Sequence, residues 1–151
     1  MTPALEFVYE ARADLLPAVD IGETPHGRRR MIPITGGVFE GPAIRGRILL
    51  GGADWQIIRA DGVTEVDALY ALETDDGAVI QVRNCGLRHG PPEIMERLAA
   101  GETIDPAAYY FRATPVFAAS EGPHAWLNRS VFVCAGARFA STVTLRVFRV
   151  L

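Results

Sequence analysis

Apolar and polar residues alternate with a period of two along most of the chain, and the alternating runs are rich in β-branched and aromatic residues. Leu5–Ala11 sets Leu5, Phe7, Tyr9 and Ala11 against Glu6 and Glu10 on the opposite face. Gly22–Arg30 is a polar turn region, and Arg30–Phe39 is a strand broken by Pro33 and ended by Gly36-Gly37. Ala43–Leu50, Trp55–Arg59, Glu65–Thr74, Ala78–Asn84, Tyr109–Ala118, Leu127–Ala135 and Ser141–Val150 follow as strands. Asp61-Gly62 and Asp76-Gly77 mark hairpin turns, because an Asp-Gly pair supplies the positive φ that tight hairpins need. The pattern predicts about eight or nine strands.

Only Glu93–Ala100 has helical character. Pro91-Pro92 precede it, Gly101 is placed to cap its C-terminus, and Ile94, Leu98 and Met95 form its apolar stripe. Eight residues are marginal alone, so the helix must lie on the sheet, either as a lid over one end or as a simple connection. Many short strands and one helix predict an all-β fold, an antiparallel β-barrel with a sandwich as the alternative. Gly36-Gly37, Gly46 and Gly51-Gly52 suit the bends of a small barrel.

Composition supports one domain over residues 1–151. A chain of this length can bury about 68–70% of its unfolded surface, and 49% hydrophobic residues supply a full core. All 15 basic residues are arginine, which excludes a Schiff-base lysine and the lysine-containing phosphate loop. A net charge of −3 and a pI near 5.6 argue against a nucleic-acid partner. Cys85 and Cys134 lack metal-ligand spacing and are expected as buried free thiols. The N-terminus lacks the features of a signal peptide, and no apolar run approaches the ~20 residues of a membrane span. A cytoplasmic protein without a membrane partner is expected.

Candidate chemistry concentrates in four segments. In Arg45–Trp55 the glycines admit close backbone approach, with Asp54 as an acceptor and Trp55 as an apolar wall; the alternative is a strand corner capped by Asp54. In Glu65–Gly77, Asp67 shares a face with Leu69, Ala71 and Glu73, opposite Ala68, Tyr70 and Leu72. Asp67 either projects into a cavity, where burial would raise its pKa for general-acid work, or pairs with an arginine across the sheet. In Tyr109–Pro115, Tyr110, Arg112 and Thr114 offer donors to a carboxylate or phenolate, or else Arg112 packs over tyrosine on an exterior face. Trp126 and Asn128 open the penultimate strand, where Trp126 could wall a ligand or close the core. His26, His89 and His124 lack the spacing of a metal site, and neither a nucleophile elbow nor a dinucleotide fingerprint is present, so no metal and no cofactor are expected.

Gly27-Arg28-Arg29, Ile34-Thr35-Gly36-Gly37, Glu40-Gly41-Pro42 and Gly51-Gly52-Ala53-Asp54-Trp55 appear in that order. Asp67-Ala68-Leu69-Tyr70, Asp75-Asp76-Gly77, Tyr110-Phe111-Arg112 and Trp126-Leu127-Asn128 follow. Across nearly the whole chain this series resembles domain of unknown function 3237, also called uncharacterised protein family 0311. The resemblance implies a small β-barrel that assembles as an oligomer, and it supplies no catalytic residues.

The expected function is binding of a small, partly apolar molecule, such as an aromatic acid, in a barrel pocket. Catalysis there would be cofactor-free isomerase or lyase chemistry. Asp54 or Asp67 would move the proton, and Tyr70, Tyr110 and Arg112 would stabilise negative charge. The alternatives are a binder without turnover and an oligomeric scaffold. The strand Thr142–Leu151 carries Val143, Leu145, Val147 and Leu151 on one face, which suggests the contact of a homodimer.

Overall fold

The computed structural model describes residues 1–151. Ten strands form one antiparallel sheet: β1 (Leu5–Leu15), β2 (Val19–Thr24), β3 (Gly27–Glu40), β4 (Arg45–Ile48), β5 (Gly52–Ile58), β6 (Thr64–Thr74), β7 (Val79–His89), β8 (Tyr110–Ala118), β9 (Val131–Arg138) and β10 (Thr142–Val150). The ten fill eight places around a closed barrel. β1 and β2 lie end to end along one edge of β3, while β4 and β5 lie end to end along the other. β6 to β10 follow in order, and β1 pairs with both β10 and β3 to close the ring.

Alternation fixes which side chains face inward. Tyr9, Leu72, Ile80, Val82, Phe132 and Val147 are fully buried, and one continuous apolar cluster fills the barrel. This packed end is closed by a short 3-10 helix, Ala125–Arg129, whose Leu127 is buried. The other end is partly covered by α1 (Pro92–Ala99). α1 ends in a glycine-based stop: Gly101, at φ +87°, donates to the Leu98 carbonyl and Glu102 donates to the Arg97 carbonyl. No helix is long and apolar enough to cross a membrane.

Several local expectations are corrected. The polar stretch Gly22–Arg30 is mostly strand, with only a tight turn at Pro25-His26 between β2 and β3. β3 runs unbroken through Pro33 because the missing N–H of that residue faces the gap between β1 and β2. There its carbonyl accepts from Leu16. Trp126–Arg129 is 3-10 helix rather than strand. Cys134 is buried as expected, but Cys85 is only half-buried, on the outer surface. β10 is paired along both edges and turns Leu145 and Val147 into the core, so those two residues are not available as a contact face. The free edge belongs to β2.

Gly37 marks a close approach of β3 to the backbone of β1. Its φ is +130°, and a Cβ there would overlap the Arg12 carbonyl oxygen. Gly37→Ala is therefore expected to lose about 3 kcal/mol or more, combining backbone strain with displacement of β1. A urea titration followed by circular dichroism reads this directly, and an unchanged midpoint would show that β1 can shift freely.

Candidate functional site

Inward positions near the open end are polar where those deeper in the barrel are apolar. β5 contributes Asp54 and Gln56, β6 Tyr70, β7 Asn84 and Arg88, and β9 Arg138. With apolar wall residues such as Ile32, Ile34 and Phe111, they line an interior cavity of about 50 Å³. A wider mouth of about 530 Å³ opens above it, bounded by α1 and the β9–β10 turn. Leu15, Ile32, Arg88 and Arg138 belong to both walls and form the neck between them.

Asp54 is held on both oxygens. The backbone N–H of Asp67 donates to its Oδ1 at 2.9 Å, and Gln56 Nε2 donates to its Oδ2 at 2.6 Å. Gln56 is oriented in turn by Arg30, whose Nε donates to Gln56 Oε1 at 2.7 Å. Burial raises the Asp54 pKa above the ordinary aspartate value, against the opposing pull of these donors and of Arg88 and Arg30. A carboxyl that keeps its proton to higher pH, at a fixed position inside a closed wall, is suited to general-acid chemistry.

The cations outnumber the carboxylate. Arg30, Arg88 and Arg138 all act on the space around Asp54, and burial depresses all three. Arg138 is committed to the backbone: its guanidinium donates to the carbonyls of Phe139 and Thr142, and its N–H donates to Tyr109 Oη at 2.8 Å. Arg88 is different. It is 5% exposed, its Nε has no hydrogen-bond partner, and its guanidinium lies 5.5 Å from the centre of the Phe111 ring. Burial, then repulsion from Arg30, brings its pKa down to about 10. A buried cation with unused donors in a cavity wall is a receptor for an oxyanion. Tyr70, buried deeper, is a neutral donor with its hydroxyl pKa pushed up by burial. Asn84 Oδ1 adds a buried acceptor without a partner.

The structure brings together only two of the eight residues singled out from sequence, Asp54 and Tyr70. Asp67 is on the outer face of β6, where it forms a two-pronged pair with Arg83 at 2.9 Å and accepts from the Cys85 thiol. The Arg83 pairing holds its carboxyl below the usual range, which unsuits it as a general acid. Trp55 points outward beside Asp54, and is half exposed. Tyr110 and Arg112 are also outside, with Arg112 5.5 Å over the tyrosine ring and His89 stacked on it. Trp126 closes the packed end against Phe132, beneath Arg149. Asn128 clamps both backbone groups of Ala119. The physical reason is parity: each of the strand residues among them has the opposite face from the buried position next to it.

Arg30, Gln56, Arg88 and Arg138 were missed. The signal was present for three of the four. Arg30 alternates with Ile32 and Ile34, Arg138 with Cys134 and Phe132, and Arg88 with Val82 and Ile80 through Asn84 and Gly86. Ending β7 at Asn84 hid the last of these. Gln56 required knowing that the Asp54 face of β5 is the inner one.

Fold and site together define a small closed β-barrel, open at one end, with an arginine-rich interior around one carboxyl. The chain belongs to the family described as protein of unknown function (DUF3237), whose model matches residues 3–150. It is 44% identical over 153 aligned positions to the UPF0311 protein RPA1785 of Rhodopseudomonas palustris, with both chains fully covered. The crystal structure of that protein superposes with a TM-score of 0.97, covering 100% of this chain and 99% of the other, at 42% identity. A β-barrel-like protein of Acinetobacter baumannii superposes at 0.87, with 40% identity and coverage of 100% and 98%. A hydroalkoxylation enzyme of Penicillium herquei is 34% identical over 80 residues, 53% of each chain. An enzyme structure from the same fungus shares the fold at a TM-score of 0.74 and 22% identity, covering 100% and 96%.

Proposed function

We propose that the barrel cavity, together with the mouth above it, binds a small, partly apolar organic anion, a phenolate or carboxylate, and that Asp54 transfers a proton to it. The observation that carries the reading is the buried Arg88 guanidinium beside an enclosed carboxyl. Arg88 receives the oxyanion, Phe111 and the isoleucines contact its apolar body, and Asp54 is the acid. Tyr70 donates from below. The relative named for hydroalkoxylation supports this class of chemistry, because adding O–H across a carbon–carbon double bond needs an acid at carbon and a held oxygen.

In that reaction Asp54 gives its proton to one alkene carbon, and the phenol oxygen bonds to the other. The substrate of this step enters as the neutral phenol, its oxygen held by Arg88 against the negative charge that develops as its proton passes to the Asp54 carboxylate. The π bond and the O–H bond break, a C–H and a C–O bond form, and no electrons leave the substrate. The same groups run the reverse elimination.

The test has two arms. Calorimetric titration with 4-hydroxybenzoate and 4-methylbenzoate is expected to give saturable binding, at least tenfold tighter than for the neutral amides of the same shape. Incubation with a 2-prenylphenol, followed by NMR, is expected to give the cyclic ether of unchanged mass. Equal affinity for acids and amides would overturn the anion site. Binding without conversion of this or related alkenyl phenols would make the protein a binder and remove Asp54 from catalysis.

A further inference from the structure

The barrel interior offers a ligand two compartments of very different size, joined at the neck. The cavity beneath the neck measures about 50 Å³, room for roughly three to five waters at ~10–15 Å³ each. That is the anionic end of an organic acid and little more. The mouth above the neck is about ten times larger, at about 530 Å³. Its wall joins that of the cavity through Leu15, Ile32, Arg88 and Arg138, so a molecule whose oxyanion reaches Arg88 must continue upward between them.

Arg88 and Arg138 stand at the neck, and the mouth wall above adds Arg30 and, on α1, the acidic Glu96. Met95 and Leu98 of α1 face Ile58, Pro17 and Phe139 across the mouth and supply apolar surface. Arg30 is already committed to Gln56 and Arg138 to backbone carbonyls, so the free donor for an anion is Arg88 at the neck. A hydrocarbon placed below the neck would leave Arg88 buried without a counter-charge.

Resting on the proposed anion site, we infer that the ligand is an amphiphilic acid bound head inward, with an alkyl or alkenyl tail running out under α1. α1 is then the specificity wall. Its residues Met95, Leu98 and Ala99 set the length and width of tail accepted.

The experiment is a calorimetric series of 4-alkylbenzoates, from methyl through butyl to octyl, below their micellar concentrations, on wild type, Arg88→Met and Ala99→Trp. Wild-type affinity is expected to rise roughly two- to fourfold per methylene as the tail covers mouth surface, then level off where the tail reaches solvent. Ala99→Trp, at an exposed helix position, is expected to bring the octyl compound down toward the affinity of the methyl one. Arg88→Met is expected to lose every member of the series. Binding of the methyl compound without any rise along the series would overturn the tail site and leave the anion site standing. Failure of every acid on wild type would overturn the anion site itself. Undiminished octyl binding by Arg88→Met would mean tail-first adsorption and overturn the orientation. A second block from the opposite wall, Ala18→Trp, separates obstruction of the tail from a local change in α1: tail discrimination retained in both variants would exclude the mouth.

Discussion

Arg88→Met is expected to raise the melting temperature of the ligand-free protein while abolishing its affinity for organic anions. The guanidinium is buried, Nε lacks a partner, and burial pushes its pKa down to about 10. That depression corresponds to a penalty on the order of 3 kcal/mol for holding the charge inside the folded barrel. For a base whose folded pKa is depressed, the unfolded chain binds more protons between the two values. Stability therefore rises as pH climbs above about 10, and the full penalty applies at neutral pH. Methionine removes the charge and keeps most of the stem. After subtracting the lost contact with Phe111, a net gain of about 1–2 kcal/mol is expected, or roughly 3–6 °C at this chain length. Differential scanning calorimetry measures the first effect and anion titration the second. A lower melting temperature would mean that the cation serves the fold rather than a ligand. The gain follows the general rule that a site built for binding holds groups the fold would be more stable without.

Asp54→Asn is expected to reduce turnover by about 10²–10⁴ while leaving anion affinity equal or higher, since it removes the carboxylate that offsets Arg30, Arg88 and Arg138. Because burial raises the Asp54 pKa, wild-type activity is expected to fall as pH rises through that value, with the acid form the active one. The linked stability has the same sign. It is fully present below the ordinary aspartate pKa of about 3.9 and is lost as pH rises through the folded value, so the stability difference between the asparagine variant and wild type grows in the variant's favour across that window. Rate–pH profiles with denaturant titrations at several pH values test both statements. A rate that rises through the acid range and then stays flat would make Asp54 a base instead.

Asp67→Asn serves as the contrasting case. The Asp67–Arg83 pair is on the outer face with both side chains solvent-exposed, 43% and 64% accessible, where such pairs contribute little. The same chemical change that is expected to stop catalysis at Asp54 should pass almost unnoticed thirteen residues later.

The sequence by itself determined the β-rich architecture, the single helix with its glycine stop, and the two Asp-Gly hairpins. Those features are local: period-two patterning, a proline start and a positive-φ turn each follow from a few adjacent residues. It also determined that any cation in the site must be a guanidinium. Parity along β6 correctly separated Asp67 from Tyr70, but nothing local said which of the two faces is inside.

Tertiary structure decided that. A two-residue period assigns side chains to faces, whereas the closure of β1 onto β3 assigns one face to the interior for all eight places at once. Closure turned Asp54, Gln56, Arg88 and Arg138 toward one another from three different strands, and it turned Trp55, Asp67, Tyr110 and Arg112 outward. It also buried Leu145 and Val147 of the β10 face that had suggested a dimer contact and left the free edge to β2. Which polar residues share a cavity is set by long-range strand register, and no window of neighbouring residues contains that register.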